Sequence, residues 1–188
     1  MAVLPIAVLG QPVLRQETVP VEVVTDELRA LADDMIDTMR AAGGAGLAAN
    51  QVHEAVRIAV IEVDGNRRYP YKPPIPLTVI VNPTIEPVGD EMVDINEGCL
   101  SVPELRGTLP RHVTIRVRYL DRDGRLHDEI RRGLTAGTFQ HEVDHLDGVL
   151  FVDRVTDPTT LTTWEQFDRW HRDAFVARIE EFVRRVGS

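Results

Sequence analysis

The chain has 188 residues, 43% of them hydrophobic and 27% charged, which is the make-up of one globular domain long enough to bury its own core. A formal charge of −9 argues against nucleic acid or an anionic membrane as the main partner. A lone cysteine, Cys99, excludes an internal disulfide framework and favours a reducing compartment; with no basic-then-apolar leader after Met1 and no run approaching a membrane span, the expected location is cytoplasmic.

Residues 7–24 are short apolar pieces broken by Gly10, Pro12 and Pro20, which predicts an extended arm over a body. A helix follows. Thr25 can cap it, Asp26 and Glu27 favour its positive end, and Leu28, Leu31, Met35 and Met39 form one apolar face before Gly43-Gly44 stops it. The next stretch, Gly44-Ala45-Gly46-Leu47-Ala48-Ala49-Asn50-Gln51, is glycine-rich but fits neither phosphate-binding spacing. It reads as a loop lying along a ligand, with Gln51 either delivered to that ligand or kept as a buried structural amide.

Residues 57–63 and 77–82 are β-branched runs ending at turn signals, which predicts two strands. Between them the prolines of residues 69–76 predict a surface excursion of extended, polyproline-like character. Residues 96–103, Asn-Glu-Gly-Cys-Leu-Ser-Val-Pro, read as a strand or extended loop because Pro103 holds Val102 extended. Residues 112–120 alternate Val113, Ile115, Val117 and Tyr119 against Thr114, Arg116 and Arg118, the period of a half-buried strand. Asp123-Gly124 marks a hairpin whose return is residues 126–131. The tail, residues 159–186, carries Trp164, Phe167, His171, Phe175, Ile179 and Phe182 at threes and fours, which predicts one long amphipathic helix docked on the core. The order of elements implies a single α+β domain over residues 1–188, with antiparallel or mixed sheet packed around a central helix.

That central helix carries the chemistry. Gln140-His141-Glu142-Val143-Asp144-His145 sets two imidazoles one turn apart on one face, close enough for a single small cation to bridge. Glu142 is rotated about 100° from His141, beside such a cation, which suits a general base acting on water. Two histidines on a helix by chance is the plain alternative. Leu134, Gly137 and Thr138 precede His141 by seven, four and three residues and share its face, so they should line a pocket beside the metal. A catalytic metal usually takes three protein ligands, and the helix supplies two. The extended metzincin pattern would add a further downstream histidine, which is missing here; upstream, Cys99 lies in a segment that a sheet edge could bring against the helix.

Three stretches together resemble the bacterial-type peptide deformylases: Gly44-Ala45-Gly46-Leu47-Ala48-Ala49-Asn50-Gln51, Glu97-Gly98-Cys99-Leu100-Ser101 and Gln140-His141-Glu142-Val143-Asp144-His145. The early Gly10-Gln11-Pro12-Val13-Leu14-Arg15 is similar to that family's opening, and the likeness runs over roughly residues 5–155. It implies removal of the N-formyl group from the initiator methionine of new polypeptides, releasing formate. By the same likeness Cys99, His141 and His145 hold the metal, Glu142 is the acid/base, and Gln51 with the Leu100 main-chain amide forms the oxyanion site. Ala45, Gly46, Glu97, Arg106, Leu134, Gly137 and Thr138 would bind substrate.

The resemblance points to Fe²⁺, although two imidazoles and a thiolate also accept Zn²⁺, Co²⁺ or Ni²⁺. The implied partner is the N-formylmethionyl nascent peptide; transient ribosome association is left open, and neither a specific nucleic acid nor a membrane is expected. Ala45 and Gly137-Thr138 replace larger residues of the family, which predicts a methionine pocket that is wider or differently shaped. A metalloprotease, an inert binding protein and a Cys99–His thiol hydrolase are the competing classes.

Overall fold

The structure is a computed structural model and describes residues 2–65 and 69–187. Helix α1 (Asp26–Ala41) is followed by strands β1 (Gly46–Ala48), β2 (Ile58–Val63) and β3 (Ile75–Pro87). Strands β4 (Met92–Cys99), β5 (Val102–His112), β6 (Thr114–Leu120) and β7 (Leu126–Arg132) lead into α2 (Gly133–Leu146). Strand β8 (Thr162–Thr163) and helices α3 (Trp164–Trp170) and α4 (Arg172–Val186) close the chain. Residues 1, 66–68 and 188 of the expected single domain lie outside those described.

All strand pairings within the sheets are antiparallel, in a five-stranded sheet β1-β2-β3-β6-β7 and a three-stranded sheet β4-β5-β8. Side chains alternate across a strand, so β2 divides its apolar run between two layers. Ile58 and Val60 pack with Met35, Ile36 and Met39 of α1. Ala59, Ile61 and Val63 pack with Phe139, Val143 and Leu146 of α2. The sheet therefore lies between the two helices. Each large side chain fully buried in these layers contributes about 1.5–3 kcal/mol.

Helix α2 is buried along its whole length, His141 alone excepted. That exception marks where the interior opens to a ligand. The α1 cap is the expected one, since Thr25 Oγ1 accepts from the Leu28 amide at 3.3 Å. The 123–124 hairpin and the Gly148 stop after α2 also hold, with Gly124 and Gly148 at positive φ.

Three expectations need correction. The strand predicted for residues 77–82 and the run after Pro83 are one strand, β3, which shifts register between Val81 and Thr84 with Asn82 at φ 51°. At that irregularity a proline, which lacks an N–H, can be accommodated. The tail is two helices, not one: the chain leaves helical geometry at His171 (φ −122°), which is exposed, while Phe167 and Phe175 meet at 5.7 Å. Residues 69–76 are not a surface excursion. Tyr69 is buried, Tyr71 packs edge-on against Phe175 at 5.2 Å, and Ile75 and Pro76 already belong to β3.

Candidate metal centre

Helix α2 presents His141 and His145 from consecutive turns, with ring centroids 5.0 Å apart. The third donor arrives from the other sheet. Cys99 ends β4 where the β4–β5 register shifts into a tight turn, and its Sγ lies 3.2 Å from His145 Nε2. Ligand atoms of Cys99, His141 and His145 all fall within 4.8 Å of one another. A thiolate and two imidazoles suit a divalent transition metal, and three protein ligands leave a coordination position open.

The surroundings fit a cation. His141 Nδ1 donates to Glu97 Oε2 at 2.8 Å, which leaves its Nε2 free to act as a ligand. Burial opposes a charge on His141, yet Cys99 and Glu97 outweigh burial and hold its pKa well above the ordinary value. Burial and then His141 push His145 well below its ordinary value, as suits a neutral ligand. The Ser101 amide donates to Cys99 Sγ at 3.3 Å, stabilising a thiolate.

Glu142 sits beside the cluster with 3% exposure, and its Oε2 has no hydrogen-bond partner among the described residues. Burial raises its pKa to about 7, with His141 and Lys72 working against the rise. Gly46 faces it so closely that an added Cβ would lie 2.2 Å from Glu142 Oε1. Only glycine leaves the carboxylate room there. Gln51 is both a structural amide and a site side chain. Its Oε1 accepts from the Ala48 amide at 2.8 Å, and its Nε2 donates to Ser101 Oγ at 3.0 Å and points at Cys99 Sγ at 3.6 Å.

Of the residues singled out in the sequence, Ala45, Gly46, Gln51, Glu97, Leu100, Leu134, Gly137 and Thr138 border one pocket with Cys99, His141 and Glu142. Arg106 does not. It is fully buried, donates to Asn96 Oδ1 at 2.6 Å and to the Tyr71 hydroxyl at 3.2 Å, and stacks against Trp164 at 4.0 Å. A planar guanidinium can be packed this way, so Arg106 braces the pocket from behind. Glu97 borders the pocket but is already engaged by Arg111 at 2.8 and 2.9 Å and by His141. Burial pushes its pKa up, but Arg111 and His141 hold it well below the carboxylate range. Its geometry orients His141. At Gly137 an added Cβ would lie 2.7 Å from Ile95 Cδ1, so Ile95 occupies the space beside this glycine.

Sequence reasoning missed Arg111, Asp144, Ser101 and Lys72. Arg111 reaches Glu97 and Asp144 across 14 and 33 residues of chain, which no local pattern reveals. For Ser101 a signal existed, since it directly follows the Cys99-Leu100 pair. Lys72 was hidden by the proline-rich stretch around it. Its Nζ donates to Thr138 Oγ1 at 2.9 Å and lies 4.9 Å from the centre of the Tyr69 ring.

Two imidazoles and a thiol able to hold a metal, beside a buried carboxyl, are the donor set of a metal-dependent hydrolase. The comparisons narrow the class. Residues 3–160 match the family described as polypeptide deformylase. The chain is 47% identical over 156 residues to Peptide deformylase 2 of Ralstonia nicotianae, covering 82% of this chain and 88% of that protein. A class I type b peptide deformylase from Acinetobacter baumannii, solved with Met-Ala-Ser bound, matches with a TM-score of 0.79 at 40% identity, over 82% of this chain and 99% of that one. A peptide deformylase from Synechococcus elongatus in complex with actinonin gives a TM-score of 0.76 at 38% identity, covering 84% and 81%. The chain belongs to the polypeptide deformylase family, the metal-dependent hydrolases that remove the N-terminal formyl group from the initiator methionine of new polypeptides and release formate. No described helix is long and apolar enough to cross a membrane.

Proposed function

We propose that Cys99, His141 and His145 hold one divalent ion, Fe²⁺ in the cell with Zn²⁺, Co²⁺ or Ni²⁺ able to replace it, and that Glu142, Gln51 and the Leu100 amide carry out deformylation around it. The convergence of three donor atoms within 4.8 Å, two of them on residues that border the pocket with Glu142 and Gln51, supports this reading. The bound ion supplies Lewis-acid polarisation and acidifies water. Glu142 takes the proton of the attacking water on its carboxylate; a carboxyl near neutrality suits a group that must accept a proton and then return it. Gln51 Nε2 and the Leu100 N–H donate to the formyl oxygen as negative charge develops there. Glu142 then hands its proton to the departing amine, leaving formate and a free amino terminus.

The substrate is the N-formylmethionyl nascent peptide, with its first side chain against Leu134, Gly137 and Thr138. The Acinetobacter relative was solved with Met-Ala-Ser bound, a peptide that begins with methionine, which supports that class of substrate. Residues 1–188 act as one catalytic domain in a reducing cytoplasm, which keeps Cys99 available as a thiolate, with transient contact at the ribosome where such chains emerge. Anaerobic formate release from a formyl-Met peptide by Fe²⁺-, Co²⁺- and Zn²⁺-loaded protein tests the scheme and ranks the metals. Glu142→Gln alongside should keep its metal and lose about 10²–10⁴-fold in turnover. Near-normal turnover in that variant would remove Glu142 from the mechanism.

A further inference from the structure

The pocket wall contains a cation that the reaction does not use. Lys72 enters from the stretch before β3 and reaches Thr138, one turn ahead of His141 on α2. Thr138 Oγ1 already donates to the Leu134 carbonyl at 3.1 Å, so toward Lys72 it acts only as an acceptor. Among the described residues no carboxylate pairs with the ammonium, and Thr138 is its one hydrogen-bond partner. The Tyr69 ring covers one side of it at 4.9 Å. An ammonium has three donors, so two N–H groups remain to face whatever fills the pocket.

The first side chain of the substrate lies against Thr138 under the deformylase reading, on which this inference rests. A thioether is a weak acceptor. A methionine side chain seated there removes water from Lys72 and returns little. A side chain ending in an oxygen returns a full hydrogen bond to a charged donor, which is worth about tenfold or more in binding. Burial lowers the pKa of Lys72 to about 8, against the pull of Glu97 and Glu142, so the donor persists at neutral pH. We propose that Lys72 is a specificity residue that tunes this pocket toward first side chains whose end accepts a hydrogen bond, so that peptides beginning with N-formylmethionine sulfoxide are substrates of the same site.

The test compares kcat/KM for formyl-Met(sulfoxide)-Ala-Ser and formyl-norleucyl-Ala-Ser, which differ in having or lacking the acceptor, on metal-loaded protein under anaerobic conditions. The parent should favour the sulfoxide over norleucine; a preference for norleucine would overturn the proposal without any variant. In Lys72→Met the sulfoxide-to-norleucine ratio should fall by about tenfold or more, and Lys72→Arg, which keeps a charged donor, should restore most of it. An unchanged ratio in Lys72→Met, or equal losses on both peptides, would overturn it, the latter placing Lys72 on the peptide main chain. Formyl-Met-Ala-Ser serves as control: absence of formate from it in the parent would mean that the deformylase reading itself had failed.

Discussion

Two sides of helix α2 carry buried polar groups and treat them in opposite ways. On the side of the three-stranded sheet, Asp144 accepts from Arg111 at 2.5 Å and from Arg154 at 2.6 and 2.5 Å, and Gln140 both accepts from and donates to the His112 backbone. On the pocket side, Glu142 Oε2 has no partner among the described residues. Buried polar atoms are normally paired, because an unpaired one costs free energy. The charged network around Asp144 holds the helix in place, while the unpaired carboxylate oxygen of Glu142 lies on the side that takes a ligand. Arg111 joins the two, gripping Asp144 on one side and Glu97, and through it His141, on the other.

The most forceful way to break that contrast is Arg111→Met. It leaves Glu97 buried without its bidentate partner and Asp144 held by Arg154 alone, and breaking a buried pair costs about 3–5 kcal/mol. Urea unfolding of the metal-free protein should show that loss. Metal affinity should also fall about 10–100-fold, because Glu97 no longer fixes the His141 ring. A variant with unchanged stability and metal affinity would reduce the network to packing.

Gln51→Leu probes the pocket side alone. One oxyanion donor is worth about 3 kcal/mol, so turnover should drop about 10²-fold with the metal retained. Because Gln51 also ties Ala48 to Ser101, a thermal scan belongs beside the kinetics. A stability loss with unchanged kcat would return Gln51 to a purely structural role.

What the sequence made legible follows the range over which each signal acts. His141, Glu142 and His145 are bound together by one helical repeat, and β6 and β7 by a two-residue repeat and a short turn over residues 121–125 that the Asp123-Gly124 pair marks, so both could be read locally. Cys99 could be placed near the helix only as the sole thiol, and by resemblance. Arg111 could not be seen at all, since its partners come from other elements and arginine on a strand ordinarily points to solvent. The prolines around Lys72 suggested a surface segment, whereas the stretch is held inward by aromatic contacts of Tyr69 and Tyr71 with Trp164 and Phe175, which come from the far end of the chain. His171 fitted the apolar spacing of the tail, yet the break there is set by packing of α3 and α4.

Two buried carboxyls that border the pocket, Glu97 and Glu142, should also respond oppositely to pH. Glu97 has its folded pKa lowered, by Arg111 and His141 against burial, so its stabilisation is present above the ordinary value of 4.5 and is lost as pH falls through the folded value. Glu142 has its folded pKa raised from 4.5 to about 7, chiefly by burial. The folded state therefore binds the extra proton between those values, and stability from Glu142 is full below 4.5 and declines as pH rises through about 7. In metal-free protein that decline amounts to no more than about 3 kcal/mol. Because both site histidines titrate nearby, the measurement is the difference between the parent and Glu142→Gln. A difference that is flat from pH 4.5 to 7 would show that burial does not raise this carboxyl. Added metal should flatten it, since a cation favours the carboxylate.

The smallest effect tests how far the pocket side tolerates new atoms. Gly137→Ala gains about 1 kcal/mol of helix propensity and places a Cβ 2.7 Å from Ile95 Cδ1. That atom is the tip of a flexible side chain, so Ile95 can swing aside, and the stability change should stay within about 1 kcal/mol. Ile95 borders the pocket, so a tip that swings toward it takes up space there. KM for a formyl-Met peptide should then rise about tenfold with kcat little changed, the sign of lost side-chain binding with the chemistry intact. If kcat falls instead, movement at Ile95 reaches Glu142 through the helix, and the pocket and the catalytic carboxyl cannot be treated as separate parts of that side.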